Sequence, residues 1–409
     1  MKRFKNFQEF AAHLDGLGLF RMDLTLERMR AFVRSLDASP RLPAIQVVGT
    51  NGKGSTSTFL AGLAQAHGLR TGLYTSPHFV DFRERLLLDG AMLPEQAWTD
   101  LANALDRLAP GLDFTYFELL TVLAVLAFRE AGAGAVVYEA GLGGTWDATT
   151  ALPVDLTLFT PVGLDHEAIL GPGLERIARD KAGAMRPGGM AVTGPQEPVV
   201  LDILAARAKE IGAELHHAAN LAEAPLARDI ALAGPHQQEN ARLALAGWRL
   251  WARQQGWSID PDAEARALAQ AFIPGRLQSV DFDPPLLLDG AHNEPALRAL
   301  GQALDGLGVR PAALIFTCLK DKDLEAMLPL IRDLTPGPIL VPGLPGNERA
   351  IASQALAARL GGRARAVADL DAALNLLAGS KERILLCGSL YLLAEFYTKH
   401  PRFLTRPAT

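Results

Sequence analysis

The run Ala44–Val48 is short and mostly apolar, it ends at Gly49-Thr50-Asn51-Gly52-Lys53-Gly54-Ser55, and a helical pattern follows from about Gly54 to His67. A strand, a glycine-rich loop and a helix in that order constrain the fold more than any other feature of the chain. Glycines let backbone N–H groups converge on phosphate oxygens. The helix start adds the positive end of its dipole. Lys53 adds a mobile full charge, and the hydroxyl of Ser55 or Thr56 is within reach of a metal. The spacing departs from G-x-x-x-x-G-K-[ST]: Gly54 stands between Lys53 and Ser55, and two residues separate Gly49 from Gly52. The competing reading is a glycine turn with an incidental lysine; the coincidence of strand, lysine, hydroxyls and helix argues against it.

The same alternation runs through the chain. Arg70–Tyr74, Ala135–Glu139 and Leu156–Thr160 read as strands, and Leu119–Phe128 and Leu174–Met185 as helices, with Gly68 where a helix stop belongs. This predicts an α/β fold: an N-terminal, P-loop-type, mostly parallel sheet with helices on both faces. After Pro274-Gly275 a second series begins. Leu286–Leu288, Ala313–Thr317, Ile339–Val341 and Ile384–Cys387 read as strands, with helical patterns at Ala350–Leu360 and Leu370–Leu377. The expectation is two domains, residues 1–275 and a smaller Rossmann-like α/β domain of residues 276–409. A chain of 409 residues is long for one core.

Composition narrows the function classes. The net charge of -5 is small and there is no basic stripe, so a nucleic-acid partner is not expected. The longest apolar run, Leu119–Phe128, has ten residues, where a membrane span needs about twenty; neither a membrane segment nor a signal peptide is expected. The two cysteines, Cys318 and Cys387, lie in apolar runs and form no metal-ligand spacing. They read as small core residues of a cytoplasmic protein.

Open α/β sheets bind ligands beyond the carboxyl ends of their strands, and several polar residues fall there. Ser76 follows one strand, Glu139 closes another before Gly141-Leu142-Gly143-Gly144, and Asp165-His166 follow a third. One acid, one imidazole and one hydroxyl suit Mg²⁺ beside phosphates, because magnesium takes few protein ligands and leaves the rest of its shell to phosphate and water. Taken singly, Ser76 reads as a turn residue, His166 as a helix cap or core histidine, and Lys181 as a solvated helix residue. Glu139 is harder to dismiss, since a carboxylate ending an apolar strand needs a partner.

The motifs occur in a specific order: Gly-Thr-Asn-Gly-Lys-Gly-Ser (49–55), Thr-Ser-Pro-His (75–78), Thr-Tyr-Phe-Glu (115–118), Glu-Ala-Gly-Leu-Gly-Gly (139–144) and Asp-Ala-Thr (147–149). Leu-Asp-His (164–166), Asp-Lys-Ala-Gly (180–183), His-Gln-Gln-Glu-Asn-Ala (236–241), Pro-Gly-Arg (274–276), Asp-Gly-Ala-His-Asn (289–293) and Gly-Ser-Leu-Tyr-Leu (388–392) complete the set. Together they resemble the folylpolyglutamate synthase and dihydrofolate synthase family of the Mur ligase superfamily, over nearly the whole chain. The resemblance implies an ATP-dependent amide ligase that joins L-glutamate to dihydropteroate or a reduced folate through an acyl phosphate, with one or two Mg²⁺ ions. It implies a monomer and small-molecule partners only.

Residue by residue, the resemblance assigns Asn51, Gly52, Lys53, Gly54 and Ser55 to the phosphates. Ser76, Glu139 and His166 become metal ligands. Lys181 matches a lysine carbamylated in many members, with Lys53, Glu139 and His166 as its catalytic companions. Asn240, Arg276 and Asp289 match nucleotide contacts. Thr115, Tyr116, Phe117 and Glu118, with Trp146, Asp147, Ala148 and His292, match substrate contacts, and Phe117 or Trp146 is suited to stack on a pterin ring. The chain departs from the family at Thr145, where arginine is usual, at Thr150, where asparagine is usual, and at Gln46, where histidine is common. Thr145 bears on substrate choice. Besides the bifunctional reading, four others stand: a ligase that only extends folate glutamate chains, a divergent Mur-type ligase with another carboxylate substrate, a nucleotide-dependent switch or kinase-like phosphotransferase, and a divergent non-catalytic paralogue, against which the intact Lys53, Glu139 and His166 argue.

Overall fold

A computed structural model of the chain describes residues 3–18, 23–36, 41–221 and 230–406. The chain divides into two compact units, one of Met1–Asp229 with Glu239–Gln270, the other of Ile230–Gln238 with Ala271–Thr409. Residues 230–238, on the N-terminal side of the expected boundary at Gly275, thus pack with the second unit.

The first unit holds an eight-stranded sheet in the order Ala91–Met92, Leu86–Leu88, Thr71–Tyr74, Ala135–Glu139, Ala44–Val48, Leu156–Phe159, Met190–Thr193, Glu214–His217. All neighbours pair in parallel except the hairpin formed by the first two strands, which joins Thr71–Tyr74 antiparallel. Every residue of Ala44–Val48 and of Ala135–Glu139 is buried, the pattern of parallel strands covered on both faces. The register identifies the two covers. Gly72, Val136, Tyr138 and Gln46 share one face, and Val47 and Leu158 share the other. On the first face the helix Tyr116–Glu130 lays Phe128 so close that a β-carbon at Gly72 would lie 2.5 Å from its ring. On the second, Gly247 of the helix Pro235–Gln255 brings backbone against Leu158.

The second unit holds a six-stranded sheet ordered Ala364–Val367, Ile339–Pro342, Ala313–Phe316, Ile384–Cys387, Leu286–Leu288, Gln278–Val280, parallel but for the last strand. Its core joins Leu287, Leu314, Phe316 and Leu385 to Leu300, Met327, Ile331 and Leu356 of the covering helices. Cys318 and Cys387 are free and buried in it. No helix among the described residues is long and apolar enough to cross a membrane.

Candidate active site

The loop after Ala44–Val48 leads directly into the helix Lys53–Ala66. Gly52 caps that helix at φ 85°, a left-handed conformation that favours glycine. Asn240 packs against Gly52 where a β-carbon would otherwise sit. The N–H groups of Thr50 and Asn51 both donate to the Pro161 carbonyl, at 2.9 and 3.3 Å, so the loop is tied to the neighbouring strand's exit. The first N–H groups of the helix, from Lys53 through Ser55, have no intrahelical acceptor, and such a helix start is suited to an anion. Lys53 Nζ donates to the Thr50 carbonyl at 3.1 Å.

Glu139 is buried at the carboxyl end of its strand, and its Oε2 accepts the Ser76 N–H at 3.0 Å. Both its oxygens would lie 3.7 Å from a β-carbon at Gly54. The carboxylate thus faces the helix start, with Ser76 beside it. His166 lies at the entry of the short helix Glu167–Leu170 with φ 56°, its side chain 40% exposed and 3.9 Å from Asp165. Among the described residues no three His, Cys, Asp or Glu side chains converge as a self-sufficient metal cage. The donor set that is present, one carboxylate and one hydroxyl near the start of the helix Lys53–Ala66 with an imidazole on the adjoining loop, is hard and incomplete, which fits magnesium completed by phosphate and water. The Thr56 hydroxyl, buried and without a hydrogen-bond partner among the described residues, adds an oxygen at the same helix start.

Lys181 is not a solvated helix residue. It is 4% exposed on the helix Leu174–Ala182 and donates from Nζ to the Gly49 carbonyl at 2.8 Å. Burial and the nearby charge of Lys53 push its pKa down to about 7, against the pull of Asp180, Asp147 and Asp165. Two lysines therefore converge on one glycine loop, and the buried one is readily neutral.

The loop Gly141–Thr145 packs on the same helix. A β-carbon at Gly144 would lie 2.6 Å from the Lys181 carbonyl oxygen and 2.7 Å from its Cα. Gly144 N–H donates to Asp180 Oδ2 at 2.8 Å, and the N–H and hydroxyl of Thr145 both donate to the Asp180 carbonyl, at 2.9 and 2.8 Å. Thr145 thus acts as a clamp. Asp147 turns inward, and its carboxylate accepts from the N–H groups of Gly141, Leu142 and Thr149 and from the Thr149 hydroxyl. Its burial raises its pKa against those hydrogen bonds. Ala148 is buried below it, and Trp146 stands 48% exposed.

Thr115 and Glu118 form a capping box at the start of Tyr116–Glu130. Glu118 also takes a two-point contact from Arg28, at 3.0 and 3.1 Å. Tyr116 is buried under the Arg85 guanidinium, 5.4 Å from its ring centre. Of the four, Phe117 alone is half-buried, and its ring lies where a β-carbon at Gly141 would be 2.6 Å away. Sequence reasoning missed Arg85. It is buried, its Nε donates to His78 Nδ1 at 2.9 Å, and burial with the Arg85 charge pushes His78 down to about 4. His78 is therefore neutral with its proton on Nε2.

In the second unit, Asp289 accepts the N–H groups of Leu277 at 2.8 Å and Ala291 at 2.9 Å. Arg276 donates to the Gly275 carbonyl, and His292 Nδ1 lies 2.7 Å from the Gly290 carbonyl. Asn293 then caps the helix Glu294–Gly306. His236, also of this unit, has its pKa lowered by burial against the pull of Asp289.

A profile of the Mur ligase glutamate ligase domain matches residues 275–390. The chain is 32% identical to the dihydrofolate synthase/folylpolyglutamate synthase of Escherichia coli, over 94% of this chain and 93% of that one. It is 31% identical to the folylpolyglutamate synthase of Lacticaseibacillus casei, over 85% and 87% respectively. Among solved structures, E. coli FolC in complex with DHPP and ADP aligns with a TM-score of 0.87 at 29% identity, covering 98% of this chain and 99% of that one. The bifunctional enzyme of Yersinia pestis complexed with AMPPNP and a Mn ion aligns with a TM-score of 0.87 at 28% identity, with the same coverage. The chain belongs to the folylpolyglutamate synthase and dihydrofolate synthase family of ATP-dependent ligases.

Proposed function

We propose that this protein uses ATP to join L-glutamate to the carboxylate of dihydropteroate and of reduced folates. The observation that carries this reading is the meeting of Lys53, Lys181 and the Ser76–Glu139 pair on one glycine loop. A carboxylate is a poor acyl donor. Transfer of the γ-phosphoryl group to it creates an acyl phosphate, and the glutamate amine then displaces inorganic phosphate. Negative charge spreads over the transferring group, so catalysis is mainly positioning and electrostatic stabilisation.

Lys53 and the N–H groups from Gly52 to Ser55 hold the phosphates, and Asn51 flanks them. Mg²⁺, one ion or two, held by Glu139, Ser76 and His166, would neutralise charge between phosphate oxygens. Lys181, with its pKa near 7, supplies the neutral amine that carbamylation by CO2 requires, and the product is an anion beside the metal ligands. Asn240, Arg276 and Asp289 serve the nucleotide. Phe117 and Trp146 offer ring faces to the pterin, with His292 as a further substrate contact. The roles of Thr115, Tyr116, Glu118, Asp147 and Ala148 are to shape that side rather than to touch it, because their polar groups are engaged within the protein or they are buried.

Substrate labelled with ¹⁸O in the reacting carboxylate tests the chemistry. Transfer of one label into the released phosphate is expected; phosphate free of label would exclude the acyl phosphate.

A further inference from the structure

Gln46 is wholly buried in the middle of the Ala44–Val48 strand, and its amide nitrogen lies 2.8 Å from Thr149 Oγ1 and 2.8 Å from Thr150 Oγ1. The direction of these bonds follows from counting protons. The Thr149 hydroxyl donates to Asp147 Oδ1 at 2.5 Å, and the Thr150 hydroxyl donates to the Gly144 carbonyl at 2.7 Å. Each hydroxyl has one proton. Both hydroxyls must therefore accept from Gln46, which donates both amide protons. The relay continues outward: Asp147 holds the N–H groups of Gly141 and Leu142. Gln46 thus grips the glycine loop through two separate hydroxyls.

The grip has a cost. Gln46 Oε1 is buried without a partner among the described residues, a penalty that an apolar side chain of similar size would avoid. What it secures is the loop between Glu139 and the ring of Phe117, which rests on Gly141. Both amide protons of Gln46 are needed, because the Thr149 and Thr150 hydroxyls each spend their one proton elsewhere.

We propose that Gln46, Thr149 and Thr150 form a positioning relay that sets the Gly141–Gly144 loop for the pterin-linked substrate. The identity of that substrate, and only that, rests on the proposed function. The test is steady-state kinetics on Gln46→Leu, Thr150→Val, their double variant and Thr150→Ser. Each of the first two should raise KM for the pterin-linked substrate about tenfold, with KM for ATP changed less than about twofold. The double variant should be no worse than the poorer single one, because both cut one relay. Thr150→Ser, which keeps the hydroxyl, should restore wild-type KM. Additive losses, parallel rises in both KM values, or a loss of thermal stability with KM unchanged would overturn the relay. Should Gln46→Leu fail to fold, the contrast between Thr150→Val and Thr150→Ser decides alone. Absence of turnover in the wild type with every pterin substrate would instead count against the proposed function.

Discussion

Lys181 Nζ donates to the carbonyl of Gly49 at 2.8 Å, so a buried lysine from one helix closes the start of the glycine loop that follows the central strand. Its pKa is lowered to about 7 by burial and then by Lys53. Below about pH 7 both folded and unfolded chains carry the proton, and the penalty of burying an ammonium is fully present. Between about 7 and the ordinary value of 10.5 the folded chain has released the proton while the unfolded chain keeps it, so stability rises with pH. In carbonate-free buffer the wild type should gain on the order of a few kcal/mol relative to Lys181→Met between pH 7 and 10. Urea midpoints at both pH values measure it; parallel curves would contradict it.

His78 acts in a different window. With its pKa lowered to about 4 by burial and Arg85, the folded chain resists a proton that the unfolded chain takes up near 6.5. Stability is therefore lost as pH falls from about 6.5 to 4. His78→Asn keeps an acceptor for Arg85 and removes the titration. Its acid-side loss should be smaller than that of the wild type, by up to roughly 3 kcal/mol.

Two glycines should respond in opposite ways to alanine. At Gly144 a β-carbon meets backbone atoms of Lys181 and Asp180 at 2.6–2.8 Å. Gly144→Ala should lose several degrees of Tm and most activity. At Gly54 a β-carbon meets only the Glu139 carboxylate, at an ordinary 3.7 Å, within a helix that favours alanine over glycine by about 0.5–1 kcal/mol. Gly54→Ala should keep or raise Tm while weakening nucleotide binding, since the new methyl group occupies the space between helix start and carboxylate. Thermal melts with and without ATP separate the two.

Lys53→Ala should abolish turnover, by about a thousandfold or more, with circular dichroism unchanged. Lys53 Nζ donates to the Thr50 carbonyl of its own loop, so little of the fold depends on it. Activity near wild type would refute the loop assignment.

The parallel sheet was legible because its central strands are apolar throughout and its loop carries glycines at the required turn. Glu139 was legible for the same reason: a carboxylate closing such a strand needs a partner, and the Ser76 N–H is one. The strands Glu214–His217 and Ala364–Val367 were not, since neither contains a fully buried residue and charged or imidazole side chains break their apolar pattern. Thr-Tyr-Phe-Glu carried a capping box that its resemblance to a substrate motif obscured. The partnership of Arg28 with Glu118 and that of Gln46 with Thr150 span 90 and 104 residues, and no local pattern marks them. Thr145, read from sequence as the loss of a cation, proves to be a clamp on Asp180.

The central claim is tested most directly by ADP formation by the purified protein with ATP, Mg²⁺, L-glutamate and either dihydropteroate or a reduced folate. ADP should form only when glutamate and a pterin substrate are both present, with one glutamylated product per ADP by mass spectrometry. Turnover with reduced folate alone would restrict the enzyme to chain extension. ADP formation independent of glutamate, or none with either pterin, would contradict the account.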